Sequence, residues 1–313
     1  MESTAKLTWF GQTVTKQGEV PLGSIGAMLP RFEREPFGAN AYLDVIMRRP
    51  FLDDDRFIPV GSVSRSYVLV QHRTIVEALT KAIGKAGFSP EALPCDLMLS
   101  AYGERMHLDV RIPSFDFNPG DGHDMTLGVT CINSVDKSCA LEITMQWKRL
   151  VCMNGMVRAE RSHLRRIHNT EWLSADNITE YLSAQFKTAP GDLSVYRRWR
   201  ETPITTGQIE TWADDVVSRT WGVHAAARTC HIARTGYDGT IEDPFEKAPP
   251  HAKRVKSEIE VPGSCAPVEN IFHVSQTLSW IASHRNTIED RLIKTREIYD
   301  LVSPLVDPRS SKE

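Results

Sequence analysis

Strict alternation of apolar and polar residues is the clearest pattern in this chain. It runs through Met106–Ile112, Met125–Cys131 and Leu141–Lys148, and more weakly through Asp96–Tyr102. A period of two predicts β-strands with one buried and one exposed face, and such strands favour antiparallel pairing. The connections between the stretches are short enough for hairpins. The sequence therefore predicts an antiparallel meander of four strands.

Helical spacing of apolar residues appears on both sides of the meander. It predicts one helix before the meander and several after it, at 74–87, 174–186, 205–232, 270–283 and 287–302. Val63–Val70 is rich in β-formers and predicts a further strand. Together these patterns predict an α+β fold, an antiparallel meander sheet with helices on one face.

Changes in composition set the predicted domain boundaries. Gly and Pro recur without periodicity at the start of the chain, and a turn-rich polar stretch interrupts its last third. These shifts predict an irregular N-terminal arm at 1–59, an α+β core domain at 60–234, a long loop or hairpin at 235–267, C-terminal helices at 268–303 and a polar tail at 304–313.

The stretch Trp147–His168 carries an unusual number of arginines. It begins as the end of a strand, passes Asn154-Gly155, and from Met153 onward has apolar residues at helical spacing. A helix here would place Arg158, Arg161 and Arg165 on one face and Arg166 further round, with Lys148 emerging just before it on the exposed face of the sheet. This cationic face is either a phosphate-binding surface or a solvated helix face.

The charge distribution supports the first alternative. The net charge is −3, but basic residues outnumber acidic ones between Lys148 and Arg200. A line of cations can follow a phosphate chain, and an aromatic ring can stack on an unpaired base. No duplex-reading motif is present, which favours single-strand or sequence-independent binding. The predicted nucleic-acid contacts are Lys148, Arg149, Arg158, Arg161, Arg165 and Arg166, with Arg197, Arg198 and Trp199 as secondary candidates.

Catalytic motifs are absent from the sequence. It has no Gly-rich phosphate loop, nucleophile elbow or HExxH motif. His107 and Asp109 share one strand face and could form a metal or acid–base pair, whereas a turn accounts for the polar residues Asp121, His123 and Asp124. Cys230 and the adjacent histidine would diverge on a helix. The sequence therefore predicts a protein that is not an enzyme and uses neither metal nor cofactor.

Cysteine usage and hydropathy bear on the compartment. The six cysteines form no CxxC pair and no zinc-ligand spacing. Neither a signal-peptide pattern nor an apolar stretch long enough to span a bilayer is present. These features predict a reduced cytoplasmic protein with unpaired thiols and no membrane association.

Several segments resemble an uncharacterised family of phage- and plasmid-like proteins that carries a domain of unknown function. The segments read VSRSYVLVQHRTIVEAL, ERMHLDVRIP, RLVCMNGM and RRIHNT, and they fall between Val60 and Thr170. Cys152, Asn154 and Gly155 match the Cys-x-Asn pattern of that family, with Met153 where a small or polar residue is more usual. The resemblance implies a mobile-element protein in a bacterial host and no particular activity.

The order of elements resembles the β-β-β-α core of single-strand annealing proteins, the superfamily of Red-beta, RecT and eukaryotic recombination mediators. This resemblance implies a homo-oligomeric ring or filament that binds single-stranded DNA and anneals it without catalysis, for DNA recombination. Two alternatives remain open on the residues. One is a phage or plasmid structural or inhibitory protein that binds another protein, and the other is a metal-dependent nuclease that uses His107 and Asp109.

Overall fold

The computed structural model describes residues 8–9, 12–13, 15–149, 154–157, 163–168, 172–243 and 247–306. These residues form two compact units. Unit 1 draws on the segments Met1–Phe115, Leu127–Gln146 and Arg161–Pro190, and unit 2 on Asp116–Thr126, Trp147–Glu160 and Gly191–Glu313.

Strands account for most of the first half of the described chain. In chain order they are β1 (Thr8–Trp9), β2 (Gln12–Thr13), β3 (Thr15–Pro21), β4 (Phe32–Pro36), β5 (Leu43–Arg48), β6 (Ile58–Ser64), β7 (Pro94–Leu99), β8 (Arg105–Phe117), β9 (Met125–Ser134), β10 (Leu141–Arg149), β11 (Asn154–Val157), β12 (His163–Arg166), β13 (Tyr237–Asp243) and β14 (Arg254–Glu260).

Helices predominate in the second half, although the first of them, α1 (His72–Lys85), lies in the first half. The others are α2 (Ala175–Thr188), α3 (Asp192–Glu201), α4 (Thr206–Trp212), α5 (Ser218–Trp221), α6 (Val223–Thr235), α7 (Ile271–Ser283) and α8 (Ile288–Val306). A π-helical segment, Ala213–Val217, joins α4 to α5. In the described part of the chain, no helix combines the length and the apolar character that crossing a bilayer requires.

The predicted meander forms the centre of a seven-stranded sheet. Its strand order is β11-β10-β9-β8-β7-β3, and β12 also pairs with β10. The antiparallel registers place Cys95 opposite Val110 between β7 and β8, and Leu97 opposite Gln17 between β7 and β3. The predictions of an α+β fold and of antiparallel pairing are therefore confirmed.

Strands β9 and β10 are covered on both faces, so the expectation of one exposed face is wrong for them. Every residue of β9 is buried, and Glu142 is the one partly exposed residue of β10. The polar residues bond to one another: Gln146 Nε2 donates to Thr130 Oγ1 at 2.7 Å, and Thr130 Oγ1 donates to Asp109. Hydrogen bonding makes the burial of such polar groups tolerable.

The predicted irregular arm at 1–59 is also corrected. Strands β4, β5 and β6 form a three-stranded antiparallel sheet, and β6 spans the predicted boundary at residue 59. A small core of Phe32, Ile46, Val63, Tyr67 and Val135 lies against it. Gly and Pro separate these strands into pieces too short for a strong periodic signal, and tertiary packing supplies what propensity lacks.

The helix predicted from Met153 to His168 is likewise absent from the described residues of that stretch. Asn154–Val157 and His163–Arg166 are strands. In the antiparallel register of β10 with β12, Glu142 lies opposite Arg165 and Ile143 opposite Leu164. Pairing with a preformed strand outweighs a local helical pattern because each added residue gains ladder hydrogen bonds and cross-strand contacts.

Three helices begin within a residue of their predicted starts, each at a side-chain cap. The Ser174 side chain accepts a hydrogen bond from the backbone of Asn177, and Thr205 forms a capping box with Gln208. Asn270 caps α7 in the same way. The helix predicted over 205–232 is interrupted at Gly222, whose φ of 89° is unfavourable for other residues. Between 235 and 267, β13 and β14 pair as an antiparallel hairpin.

Candidate functional site

Three of the predicted DNA contacts are buried. Lys148 and Arg149 retain 5% and 2% of their surface, and Trp199 retains 3%. Both cations lie on β10, where the polar positions are covered by protein, and the Trp199 ring stacks on Tyr299 at 5.6 Å between centroids. The prediction that these three residues contact a nucleic acid from solvent is therefore wrong for this arrangement of the chain.

Four of the predicted arginines are exposed. Arg165 and Arg166 lie on β12 in unit 1, and Arg197 and Arg198 lie on α3 in unit 2. The guanidinium of Arg166 stands over the Trp172 ring, 5.1 Å from its centroid. Arg158 and Arg161 lie outside the described residues.

A surface groove of about 320 Å³ in unit 1 includes Arg165. Its walls come from three separate segments: the end of β6, the turn between β9 and β10, and the end of β12. The lining residues that argue for a ligand are Lys137 and Arg165, the hydroxyls of Ser64, Ser66 and Ser138, and the exposed apolar side chain of Ile167. None of the described residues that line this groove is acidic.

The turn that presents Lys137 is held rigidly. Lys137 has a φ of 63°, a conformation that is uncommon for residues other than glycine. Oδ1 of the neighbouring Asp136 accepts two hydrogen bonds from Ser138, one from the backbone N at 3.0 Å and one from the hydroxyl at 2.5 Å. Arg105 Nη2 lies 3.3 Å from the other Asp136 oxygen, and both side chains are about nine-tenths buried. The contacts of Asp136 with Ser138 and Arg105 therefore hold this strained turn in place. Lys137 itself is exposed.

The opposite wall is fixed by contacts between β12 and the segment after β6. Val68 N donates to His168 O at 2.7 Å, and the rings of Tyr67 and His168 stack at 5.1 Å. Burial lowers the pKa of His168, so at neutral pH the ring is uncharged. The positive charge of the groove thus comes from Lys137 and Arg165.

Arg165 lies close to the carboxylate of Glu142. Its Nε lies 3.1 Å from Glu142 Oε1, and the side chain nevertheless remains 59% exposed. An exposed ion pair of this kind is worth little energetically, and the carboxylate mainly orients the guanidinium. A phosphate that approached the groove could replace the Glu142 carboxylate as the main anion beside Arg165.

Sequence reasoning found Arg165 but missed its neighbours. Lys137, Ser64 and Ser66 lie 28 or more positions away along the chain, and no local pattern connects them. The predicted hairpin turn between β9 and β10 gave a partial indication of Lys137, because turn residues are usually exposed and available for binding.

The residues of the nuclease alternative are not arranged as a metal site among the described residues. His107 is buried, and the Asp109 carboxylate accepts a hydrogen bond from the Thr130 hydroxyl. The groups of three or more metal-ligating side chains in the described chain do not include this pair. A different set, Asp121, Cys265 and His273, does converge in unit 2. The turn around Asp121 is present, since His123 N donates to Asp121 Oδ1 at 3.1 Å, but the other carboxylate oxygen faces Arg149.

A family model described as "Domain of unknown function (DUF932)" matches residues 59–248, more than half of the chain. No curated protein matches the chain, and no solved structure matches it.

Proposed function

The chain belongs to the DUF932 family, whose description assigns no activity, and we propose that it binds single-stranded DNA and anneals it to a complementary strand without catalysis. The contact surface is the groove that Lys137 and Arg165 line in unit 1. In this proposal Arg166, Arg197 and Arg198 add exposed positive charge elsewhere on the chain, and Lys148, Arg149 and Trp199 have structural roles.

The observation that supports this function is the chemistry of the groove wall. Two exposed cations stand beside three serine hydroxyls, and the lining residues that the structure describes include no acid. Lysine, arginine and hydroxyl groups are the donors that proteins use for phosphate oxygens. An exposed apolar side chain, Ile167, adds a surface for an unpaired base or a sugar.

The size of the groove favours a single strand. Its volume of about 320 Å³ is at the lower end of the range for small-ligand pockets. A duplex, whose major groove alone is about 12 Å wide, could touch the rim of such a groove but could not enter it. A single strand can place one phosphate and its sugar between Lys137 and Arg165.

Annealing and oligomerisation rest on the resemblance to single-strand annealing proteins. Members of that superfamily hold one strand extended on a ring or filament of protomers, so that its bases remain available for pairing. On the basis of the likeness to phage- and plasmid-like proteins, we further propose that the protein acts for a mobile element in the cytoplasm of a bacterial host. No nucleotide, metal or other cofactor takes part.

The test is fluorescence anisotropy of a labelled oligonucleotide, single-stranded and then duplex, across a salt series. For single strands log K falls with log salt by about 0.7 per phosphate contact. Removing both groove cations in Lys137→Ala/Arg165→Ala should therefore flatten the slope by about 1.4 and weaken binding at low salt. Strand annealing of two complementary oligonucleotides should slow in the same variant.

The matched control is Arg219→Ala/Arg254→Ala. It removes two arginines that are 79% and 76% exposed and that do not line the groove. We expect it to retain the slope of the natural protein. The proposal fails if the folded protein does not bind single strands at low salt, or if both double variants lower the slope equally.

A second candidate function is binding of another protein, and one observation favours it. A cavity of about 760 Å³ in unit 1 is lined by apolar residues together with the charged residues Arg48, Asp53, Asp54, Asp55 and Arg56. Two of its apolar lining residues, Leu52 and Tyr102, are 79% and 52% exposed. Exposed apolar surface of this kind is often an interaction site. A phage or plasmid protein that acts by binding another protein would use this cavity, and Leu52→Asp/Tyr102→Asp would then abolish its activity while leaving DNA binding unchanged.

A further inference from the structure

A cluster of four polar side chains in unit 2 lies outside the proposed DNA surface. Arg149 ends β10, Asp121 lies between β8 and β9, Cys265 follows β14, and His273 is in the first turn of α7. Arg149 Nη2 lies 2.9 Å from Asp121 Oδ2, and both side chains are 2% exposed. The carboxylate, the Cys265 sulfur and an imidazole nitrogen of His273 all lie within 4.8 Å of one another.

The electrostatics of the cluster favour a thiolate. The neighbouring His273 ring is the main influence that lowers the pKa of Cys265, and the Arg149 charge adds to it against the opposing effect of burial. Burial also acts to raise the pKa of Asp121, but His273 and Arg149 outweigh it, so the carboxylate is ionised. Thiols become reactive in partly exposed, electropositive surroundings of this kind.

Cys265 differs in this respect from the other cysteines that the structure describes. Burial raises the pKa of each of the remaining four to about 12, at Cys95, Cys131, Cys139 and Cys230. Cys139 is the useful comparison, because it is half-buried like Cys265. At Cys139 burial is the main influence and raises the pKa, whereas at Cys265 the neighbouring His273 outweighs burial and the pKa is lowered.

The arrangement around His273 does not suit a metal ligand. Asn270 caps α7 with its amide oxygen, which accepts the backbone N–H of His273 at 3.0 Å. Its amide nitrogen then faces His273 Nδ1 at 3.2 Å. A donor at Nδ1 assigns the ring proton to Nε2, the atom 3.7 Å from Asp121 Oδ2.

A metal would require that proton to leave and would place a cation beside the Arg149 guanidinium. The contacts with Asp121 and Cys265 raise the pKa of His273 against the effect of burial, whereas the Asn270 amide opposes a second ring proton. We assign the neutral ring with its proton on Nε2, because the backbone N–H of His273 can only donate and so fixes the orientation of the Asn270 amide.

The space beside the thiol is small. A cavity of about 20 Å³ is lined by Cys265, Arg149 and His273, together with residues of α7 and of the segment before it. This volume holds about one water molecule. The cavity itself therefore holds only a very small reactant, whereas larger reagents must approach Cys265 from its solvent-exposed side, since the residue is only partly buried.

We propose that Cys265 is a modification site, at which the thiolate held by Arg149 and His273 reacts with a small hydroperoxide such as hydrogen peroxide. The sulfur attacks one peroxide oxygen, an S–O bond forms and the O–O bond breaks. The thiolate is oxidised to the sulfenic acid and the peroxide is reduced. The departing hydroxide takes a proton from solvent and leaves as water. This reaction is independent of the proposed DNA binding.

The first measurement uses the full chain and needs no variant. Limiting iodoacetamide is added between pH 5 and pH 9, and alkylation of each cysteine is followed by peptide mass spectrometry. At pH 7, Cys265 should react more than about tenfold faster than Cys139. Equal rates for the two half-buried thiols would overturn the proposal.

The second measurement supplies hydrogen peroxide and a cyclic 1,3-dione that traps sulfenic acids. The adduct should form at Cys265, and at that position it should be absent from Cys265→Ser. His273→Gln should lower the rate of adduct formation at least about tenfold, since the charge-assisted partner of the thiolate is lost. If that variant does not fold, the comparison of Cys265 with Cys139 in the natural chain still decides.

A zinc competition separates this site from a metal centre. Equimolar Zn²⁺, added after chelator treatment, should leave the alkylation rate of Cys265 unchanged. Stoichiometric protection of Cys265 by zinc would assign Asp121, Cys265 and His273 as ligands and overturn the proposal, as would a peroxide-treated protein without the trapped adduct at Cys265.

Discussion

His72 is expected to make the stability of this protein depend on pH. The ring begins α1 and is fully buried. Asn133 Nδ2 lies 2.9 Å from His72 Nδ1, and His72 Nε2 lies 2.9 Å from Gly103 O. An amide donor at one nitrogen and a carbonyl acceptor at the other fit a single state, the neutral ring protonated at Nε2. A proton on Nδ1 would face the Asn133 amide N–H, so that two donors would point at each other.

The size of the effect follows from the pKa. Burial lowers the pKa of His72 from 6.5 to about 4, and the nearby His168 acts in the same direction. Since the pKa is depressed in the folded state, the stabilisation is fully present above pH 6.5 and is lost as pH falls toward 4. At 1.36 kcal/mol per pKa unit, the full loss is about 3 kcal/mol, of which about 2.5 kcal/mol is gone at pH 4.5.

The assay is urea unfolding of the natural protein and of His72→Gln at pH 7.5 and pH 4.5. Carboxylates titrate in both proteins, so the informative quantity is the difference between their two pH-dependent losses. We expect the natural protein to lose about 2.5 kcal/mol more than the variant. His224→Gln, which changes an exposed histidine, is the control and should behave like the natural protein.

An equal loss in His72→Gln and in the natural protein would refute this reasoning. It would mean that the buried ring accepts a proton without cost, and therefore that Asn133 and Gly103 do not fix its protonation state.

Two further predictions concern stability. Thr205→Ala removes the capping box of α4 and should cost about 1 kcal/mol by urea unfolding, whereas Thr206→Ala should cost less than about 0.5 kcal/mol. Arg228→Gln should cost about 3 kcal/mol, because it leaves the buried carboxylate of Asp238 without its ion pair. Adding Asp238→Asn to Arg228→Gln should recover part of that loss, and no recovery would contradict the role of the ion pair. Equal losses in Thr205→Ala and Thr206→Ala would contradict the role of Thr205 as the cap of α4.

The sequence by itself determined the elements whose signal is local. Strict alternation identified β8, β9 and β10, and the helical spacing of apolar residues located α2 and α7. These features depend on the period of the backbone and on hydrogen bonds between residues three or four positions apart, so a short window contains the information. The α+β class followed from their order.

Tertiary structure decided which faces are buried and which segments pair. The polar positions of β10 alternate as an exposed face would, yet Lys148 and Arg149 are covered. The arginine-rich stretch has helical spacing, yet His163–Arg166 pairs with β10. Burial and strand pairing depend on residues far away in the chain, and their energies exceed the weak preference of a local pattern.

The candidate sites lie beyond local sequence patterns for the same reason. Lys137 meets Arg165 across a hairpin and a strand edge, and Cys265 meets Arg149 more than a hundred residues away. Each of these residues alone matches an ordinary surface cation or a buried thiol. Their chemistry arises only when the fold brings charges within a few ångströms, where the Coulomb interaction and the loss of water change what each group can do.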